Sequence, residues 1–233
     1  MQSSYGNDKF NRDTIPTSEG NLIITFIGHG TLMFEFKNLV IHVDPVMQEA
    51  DYTAMPEGDM ILVTHEHSDH LDPVAIKSIT KDNTILIVTE KCVQSSKDLK
   101  NPVVMKNGDI KNIDGIKIEA VPAYNIQHKR PDGNPFHPKG EGNGYILTFG
   151  DKRVYIAGDT ENTPEMKSLK NIDIAFLPMN LPYTMTPVMV ADAAETFKPR
   201  ILYPYHFGNT DTDKLIDLLK NDSEIEVRIR DLK

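Results

Sequence analysis

Apolar residues in this chain come in short, strand-length runs set apart by tight polar connections. Residues 22–27, 32–36 and 39–43 are such runs, joined by Gly28-His29-Gly30 and Lys37-Asn38, which predicts an antiparallel meander. Another strand, over 60–63, leads directly into a histidine-rich segment. Beyond that segment Asp72 precedes Pro73, a capping carboxylate followed by a proline suited to the first turn, and predicts a helix to about residue 79. Strands are expected over 84–88, 103–105 and 116–121, with a short helix after Val88. The stretch from Tyr124 to Gly144 is polar and broken by Pro131, Pro135 and Pro138; loops that long inside compact domains tend to be functional. A hairpin over 145–149 and 153–156 turns at Gly150-Asp151-Lys152. The last third alternates, with helices opened by Thr163-Pro164 and Thr186-Pro187, strands over 174–177 and 201–203, and a helix over 213–220. Strand meanders with helices appended to each half give an α+β layered domain. Residues 1–20, rich in Ser, Asn, Asp and Gly, read as a polar N-terminal arm, and 21–233 as one domain.

Composition narrows the function rather than the fold. The chain carries a formal charge of −9, which disfavours nucleic acid and anionic membrane surfaces as partners and leaves a small molecule as the expected substrate. The lysines at 97, 100, 106 and 111 are interrupted by Asp98 and Asp109 and read as a solvated face. Cys92 is the single cysteine, so no intramolecular disulfide forms; its setting reads as a small core residue. The residues after Met1 lack the basic and apolar regions of a signal peptide, and the expected location is cytoplasmic.

Three of the eight histidines fall within six residues, in His65-Glu66-His67-Ser68-Asp69-His70. The segment follows an apolar strand and precedes a proline-initiated helix, so it occupies a strand-to-helix loop. In an extended stretch His65 and His67 point to one side, because side chains alternate with a period of two. After the chain turns, Asp69 and His70 face a second point nearby. Imidazole and carboxylate suit zinc, iron or manganese, and two such clusters hold two ions a few ångströms apart.

A strand ending in Thr-His-x-His-x-Asp-His resembles the signature of the metallo-β-lactamase superfamily, and other segments match in order over roughly residues 22 to 208. The resemblance implies a four-layer αβ/βα sandwich. It implies that Asp44, in Ile41-His42-Val43-Asp44-Pro45, orients the ligand histidines from behind. It implies that Asp159, in Ala157-Gly158-Asp159-Thr160, bridges two metals and that His206 binds the second of them. The chain is most similar to the group typified by ascorbate-6-phosphate lactonase, through Ile27-Gly28-His29-Gly30-Thr31, the Asp159 segment, and Leu177-Pro178 followed by Tyr183-Thr184-Met185.

The chain departs from the family where a histidine usually completes the first metal site; there it reads Val121-Pro122-Ala123-Tyr124-Asn125. His137, between Pro135 and Pro138 and nearer the Asp159 hairpin, is the preferred replacement, with His128 and Asn125 as alternatives. The expected ligands are therefore His65, His67 and His137 for one ion, Asp69, His70 and His206 for the other, and Asp159 between them. Asp69 and Asp159 are the expected catalytic carboxylates, and His29, Asn125, His128 and Tyr183 the expected substrate contacts. The implied activity is hydrolysis of a small ester, lactone or phosphodiester by a metal-held hydroxide, with zinc preferred and manganese or iron open. The alternatives are an iron-dependent oxidoreductase on the same scaffold, weakened by the lack of a cysteine pair or appended flavin domain, and a non-catalytic metal-binding protein.

Overall fold

A computed structural model describes residues 10–233 of the chain. The first half builds one seven-stranded sheet and the second half another. In the first, β1 (Asn11–Thr17), β2 (Gly20–Gly28), β3 (Thr31–Phe36) and β4 (Leu39–Val43) run antiparallel. The parallel strands β5 (Gly58–Leu62), β6 (Thr80–Val88) and β7 (Val103–Val104) then extend it. The second sheet repeats the plan. Its antiparallel strands are β8 (Ile110–Ile113), β9 (Ile116–Ala123), β10 (Gly142–Phe149) and β11 (Lys152–Ile156), and β12 (Ile174–Pro178), β13 (Ile201–Tyr205) and β14 (Glu226–Val227) follow in parallel.

Alternation along the strands creates four layers. Met60, Leu62 and Ile87 face the second sheet, while Ile61, Val63, Leu86 and Val88 pack on α1 (Pro73–Ser78) and α2 (Glu90–Ser95) through Ala75, Ile76 and Cys92. Between the sheets, Phe176 of β12 stacks on Tyr203 of β13 at 5.0 Å and meets Phe26 of β2 at 6.3 Å and Phe34 of β3 at 6.2 Å. On the outer face of the second sheet lie α3 (Pro164–Lys167), α4 (Pro187–Phe197) and α5 (Asp213–Leu219), with Phe197 edge-on to Tyr155. The expected caps form: Asp72, Thr163 and Thr186 each accept a bond from a backbone N–H of the first turn. Among the described residues no helix is long and apolar enough to cross a membrane.

Two expectations about irregular segments are corrected. Within the expected N-terminal arm, residues 1–9 lie outside the described residues, but Asn11–Thr17 is strand β1. Asn11, Arg12 and Thr14 are exposed, while the largely buried Asp13 ties the strand to Arg230 at 2.7 Å and to Tyr203 at 2.5 Å. The long loop closes at Glu141 rather than Gly144, because Gly142–Phe149 pairs with β9 and β11. Glycine is needed there: a Cβ on Gly144 would stand 2.8 Å from the carbonyl oxygen of Ala157.

His42 is fully buried on the outer face of β4, where its Nε2–H donates to the Pro56 carbonyl at 3.0 Å. Burial pushes its pKa down to about 4. The ring is neutral in the folded protein, whereas the unfolded chain takes up a proton near pH 6.5. The stability it contributes is present above that pH and is lost as pH falls towards 4. Wild-type stability measured by urea unfolding is expected to fall by about 2–3 kcal/mol more than that of His42→Gln between pH 7 and pH 4.5. Parallel pH dependence in the two proteins would refute this.

Candidate metal centre

Six connections leave strand ends at one rim of the sandwich, and each brings a polar side chain to it. Asp44 follows β4, His65 to His70 follow β5, Asn125 follows β9, Asp159 follows β11, His206 follows β13, and His29 turns between β2 and β3. Asp44, in the left-handed region at φ 46°, is fully buried. One of its oxygens accepts the backbone N–H of Thr64 at 2.7 Å; the other accepts the Thr64 hydroxyl and the Nδ1–H of His70, both at 2.7 Å. Donating at Nδ1 leaves the His70 lone pair on Nε2, which points inward.

Asp159 sits at the middle of the cluster. The Nε2 atoms of His137, His206, His70 and His65 surround its carboxylate at 3.2, 3.4, 3.5 and 3.9 Å. On one side the rings of His65, His67 and His137 converge, with centroids 4.7–5.0 Å apart. On the other, Asp69 Oδ2 lies 3.5 Å from His206 Nε2 and 3.8 Å from His70 Nε2. Burial opposes ionisation of Asp159, but the charges of His206 and His70 and the bond from His137 hold its carboxyl well below the usual range. Burial likewise opposes charging of His70, yet Asp159 and Asp44 raise its pKa to about 9. A metal-free cluster thus holds protons that a cation would displace.

Three buried atoms aimed into this space, His70 Nε2, His206 Nε2 and Asp159 Oδ1, have no hydrogen-bond partner. Buried lone pairs are seldom left unpaired, and nitrogen and carboxylate donors converging in this way fit one or two divalent ions. The donor atoms fall into groups that each span no more than 4.8 Å: His29, Asp69, His70 and His206; His65, His67 and His137; and His65, His70 and Asp159.

His137, not Asn125, occupies the position that completes the His65–His67 side. Asn125 stands behind it: its Oδ1 accepts the backbone N–H of His137 at 2.8 Å and the ring Nδ1–H at 2.7 Å. The Asn125 amide is spent in turn on the Tyr183 carbonyl at 2.9 Å and on Glu161 at 3.2 Å. Glu161, whose side chain is fully buried, accepts the backbone N–H groups of Ile126, Gln127 and His128 at 2.7–2.8 Å and lies 2.7 Å from the His128 ring. Asn125 and His128, expected as substrate contacts, are therefore engaged by Glu161 and do not line the cleft. Glu161 and Thr64 carry much of this framework. Thr64 is the first residue of the Thr-His-x-His-x-Asp-His signature, but its bonds to Asp44 show only in the fold, and for Glu161 the sequence offers no more than adjacency to the Asp159 segment.

A cleft of about 440 Å³ opens over the cluster, walled by His29, Asp69, Arg130, Phe136, Asn180 and Tyr183. Tyr183 is 46% exposed at the rim and packs edge-on against Phe136 at 5.1 Å. Arg130 lies over the Phe136 ring at 5.3 Å and donates to the Phe136 carbonyl.

The chain is similar to known proteins in sequence and fold. The model for the β-lactamase superfamily domain matches residues 23–206. A metal-dependent hydrolase of Koribacter versatilis is 32% identical over 200 residues, covering 80% of this chain and 84% of that protein. A crystal structure from Parabacteroides distasonis is 54% identical with a TM-score of 0.89, covering 96% of this chain and all of that one. A metallo hydrolase from the archaeon Ignicoccus hospitalis, 21% identical with a TM-score of 0.73 over 91% of this chain and 95% of that one, shares the fold.

Proposed function

This chain belongs to the β-lactamase superfamily, and we propose that within it the protein is a metal-dependent hydrolase with a dinuclear centre. The observation that carries the reading is the Asp159 carboxylate, bracketed by four imidazole nitrogens from three separate segments of the chain. His65, His67 and His137 would hold one ion and Asp69, His70 and His206 the other, with Asp159 between. Two divalent ions, most suitably zinc, would supply Lewis acidity and make water acidic enough to ionise near neutral pH.

The protein's own groups do the rest. Asp44 and Asn125 fix the tautomers of His70 and His137, so both present Nε2 without rearrangement. Asp69 is the carboxylate that is partly open to the cleft, with a side chain 46% exposed; its Oδ2 faces the histidines, and its other oxygen would pass a proton to a leaving group. The cleft accommodates a small molecule, for which an ester, a lactone or a phosphodiester is proposed. A chain of charge −9 offers little to a nucleic-acid backbone.

Metal content tests the reading. Wild-type protein is expected to retain about two ions per chain, His137→Ala about one, and His128→Ala about two. Two ions retained in His137→Ala would overturn the assignment of the loop histidine. Iron as the metal retained, without hydrolysis of any ester class, would move the reading to an oxidoreductase.

A further inference from the structure

Resting on the dinuclear reading, we propose that His29 is an additional ligand of the second ion, which would then take donors from His29, Asp69, His70 and His206. His29 Nε2 lies 3.3 Å from Asp69 Oδ2, and its ring lies against that of His206 with centroids 3.7 Å apart. One donor atom from each of the four residues lies within 4.8 Å of every other.

Hydrogen bonding marks His29 in the same way as His70 and His137, two of the histidines already assigned. His70 gives Nδ1–H to Asp44 and turns Nε2 towards Asp159 at 3.5 Å; His137 gives Nδ1–H to Asn125 and turns Nε2 towards Asp159 at 3.2 Å. His29 gives Nδ1–H to the backbone oxygen of Lys233 at 3.0 Å and turns Nε2 towards Asp69. A backbone oxygen only accepts, so Nδ1 carries the proton and the neutral ring has its lone pair on Nε2. That lone pair faces a carboxylate oxygen, which is repulsive unless a cation lies between them. A proton on His29 would satisfy this one contact. A metal ion would satisfy it together with the buried, unpartnered Nε2 atoms of His70 and His206.

The backbone is shaped to bring the ring this close. His29 has φ 48°, and its carbonyl accepts the backbone N–H of His206 at 3.0 Å. A Cβ on the following Gly30 would stand 2.7 Å from the His70 ring, so only glycine lets the turn approach the site.

Zinc titration of metal-free protein, followed by two-bond ¹H–¹⁵N spectra of the histidine rings, tests the proposal. His29→Asn and His29→Gly both tolerate the left-handed backbone, and thermal melting checks that each variant folds. The expected result is two zinc ions in wild type, with His29 Nε2 becoming metal-bound on the second addition. In both variants the first ion should bind unchanged and the second roughly 100-fold more weakly or worse, at or beyond the upper end of what losing an outer partner costs. Unchanged affinity for the second ion, or a proton still on His29 Nε2 in the two-zinc protein, would overturn this inference alone. Wild-type protein that binds fewer than two zinc ions would overturn both it and the dinuclear reading.

Discussion

Asp159→Ala is expected to lower hydrolytic turnover by roughly three orders of magnitude or more and to leave the protein unable to hold both ions together. The carboxylate is 4% exposed and lies within 3.9 Å of imidazoles from both halves of the cluster. Without it two cations would face each other with Asp69 as the one carboxylate among their proposed ligands, and much of their repulsion in a poorly solvated space would go uncompensated. Asp159→Asn keeps the volume but removes the charge, and should lose nearly as much because an amide is a weak ligand for zinc. Turnover measured at saturating zinc, with circular dichroism to confirm folding, reads this effect. A variant within tenfold of wild type would mean that the carboxylate does not lie between two ions.

Asp44→Ala is expected to destabilise the metal-free protein by about 3–5 kcal/mol, the range for removing one partner of a buried charged network. Three donors lose their acceptor at once: the Thr64 N–H, the Thr64 hydroxyl and the His70 ring. Alanine must also adopt φ 46°, which a left-handed residue without a polar side chain pays for with about 1–2 kcal/mol. Asp44→Asn spares part of that loss but places an N–H against one of the donors. It should weaken metal binding by roughly 10- to 100-fold while folding normally. Urea unfolding of the metal-free proteins reads the first effect and zinc competition against a chelating dye the second. A loss below about 1 kcal/mol in Asp44→Ala would show that the network is not what holds the loop after β5.

The parts that were legible in the sequence depend on neighbours in the chain. Helices α1, α3 and α4 announce themselves because an Asp or Thr cap followed by proline satisfies its own first turn. The His65–His70 segment is legible for the same reason, with four of its donors within six residues. Strand β1 was missed because its side chains are polar; what holds it is pairing with β2 and the distant Arg228 and Arg230. Strand β8 pairs with β9 across Asp114-Gly115, whose φ values of 49° and 81° make a turn that the dipeptide itself could have signalled. The replacement of the family's histidine by Asn125 was visible, but its consequence was not. Only the folded loop shows Asn125 bonded to His137, with Glu161 behind it.

This cluster is expected to hydrolyse its substrate only when it holds metal. The direct measurement is the hydrolysis rate of a lactone and phosphodiester panel as zinc is added to chelator-stripped protein. The expected result is no turnover without metal and a rate that rises to a plateau at about two equivalents per chain. Turnover that is the same with and without metal would contradict it, as would a fully loaded protein that hydrolyses nothing in the panel.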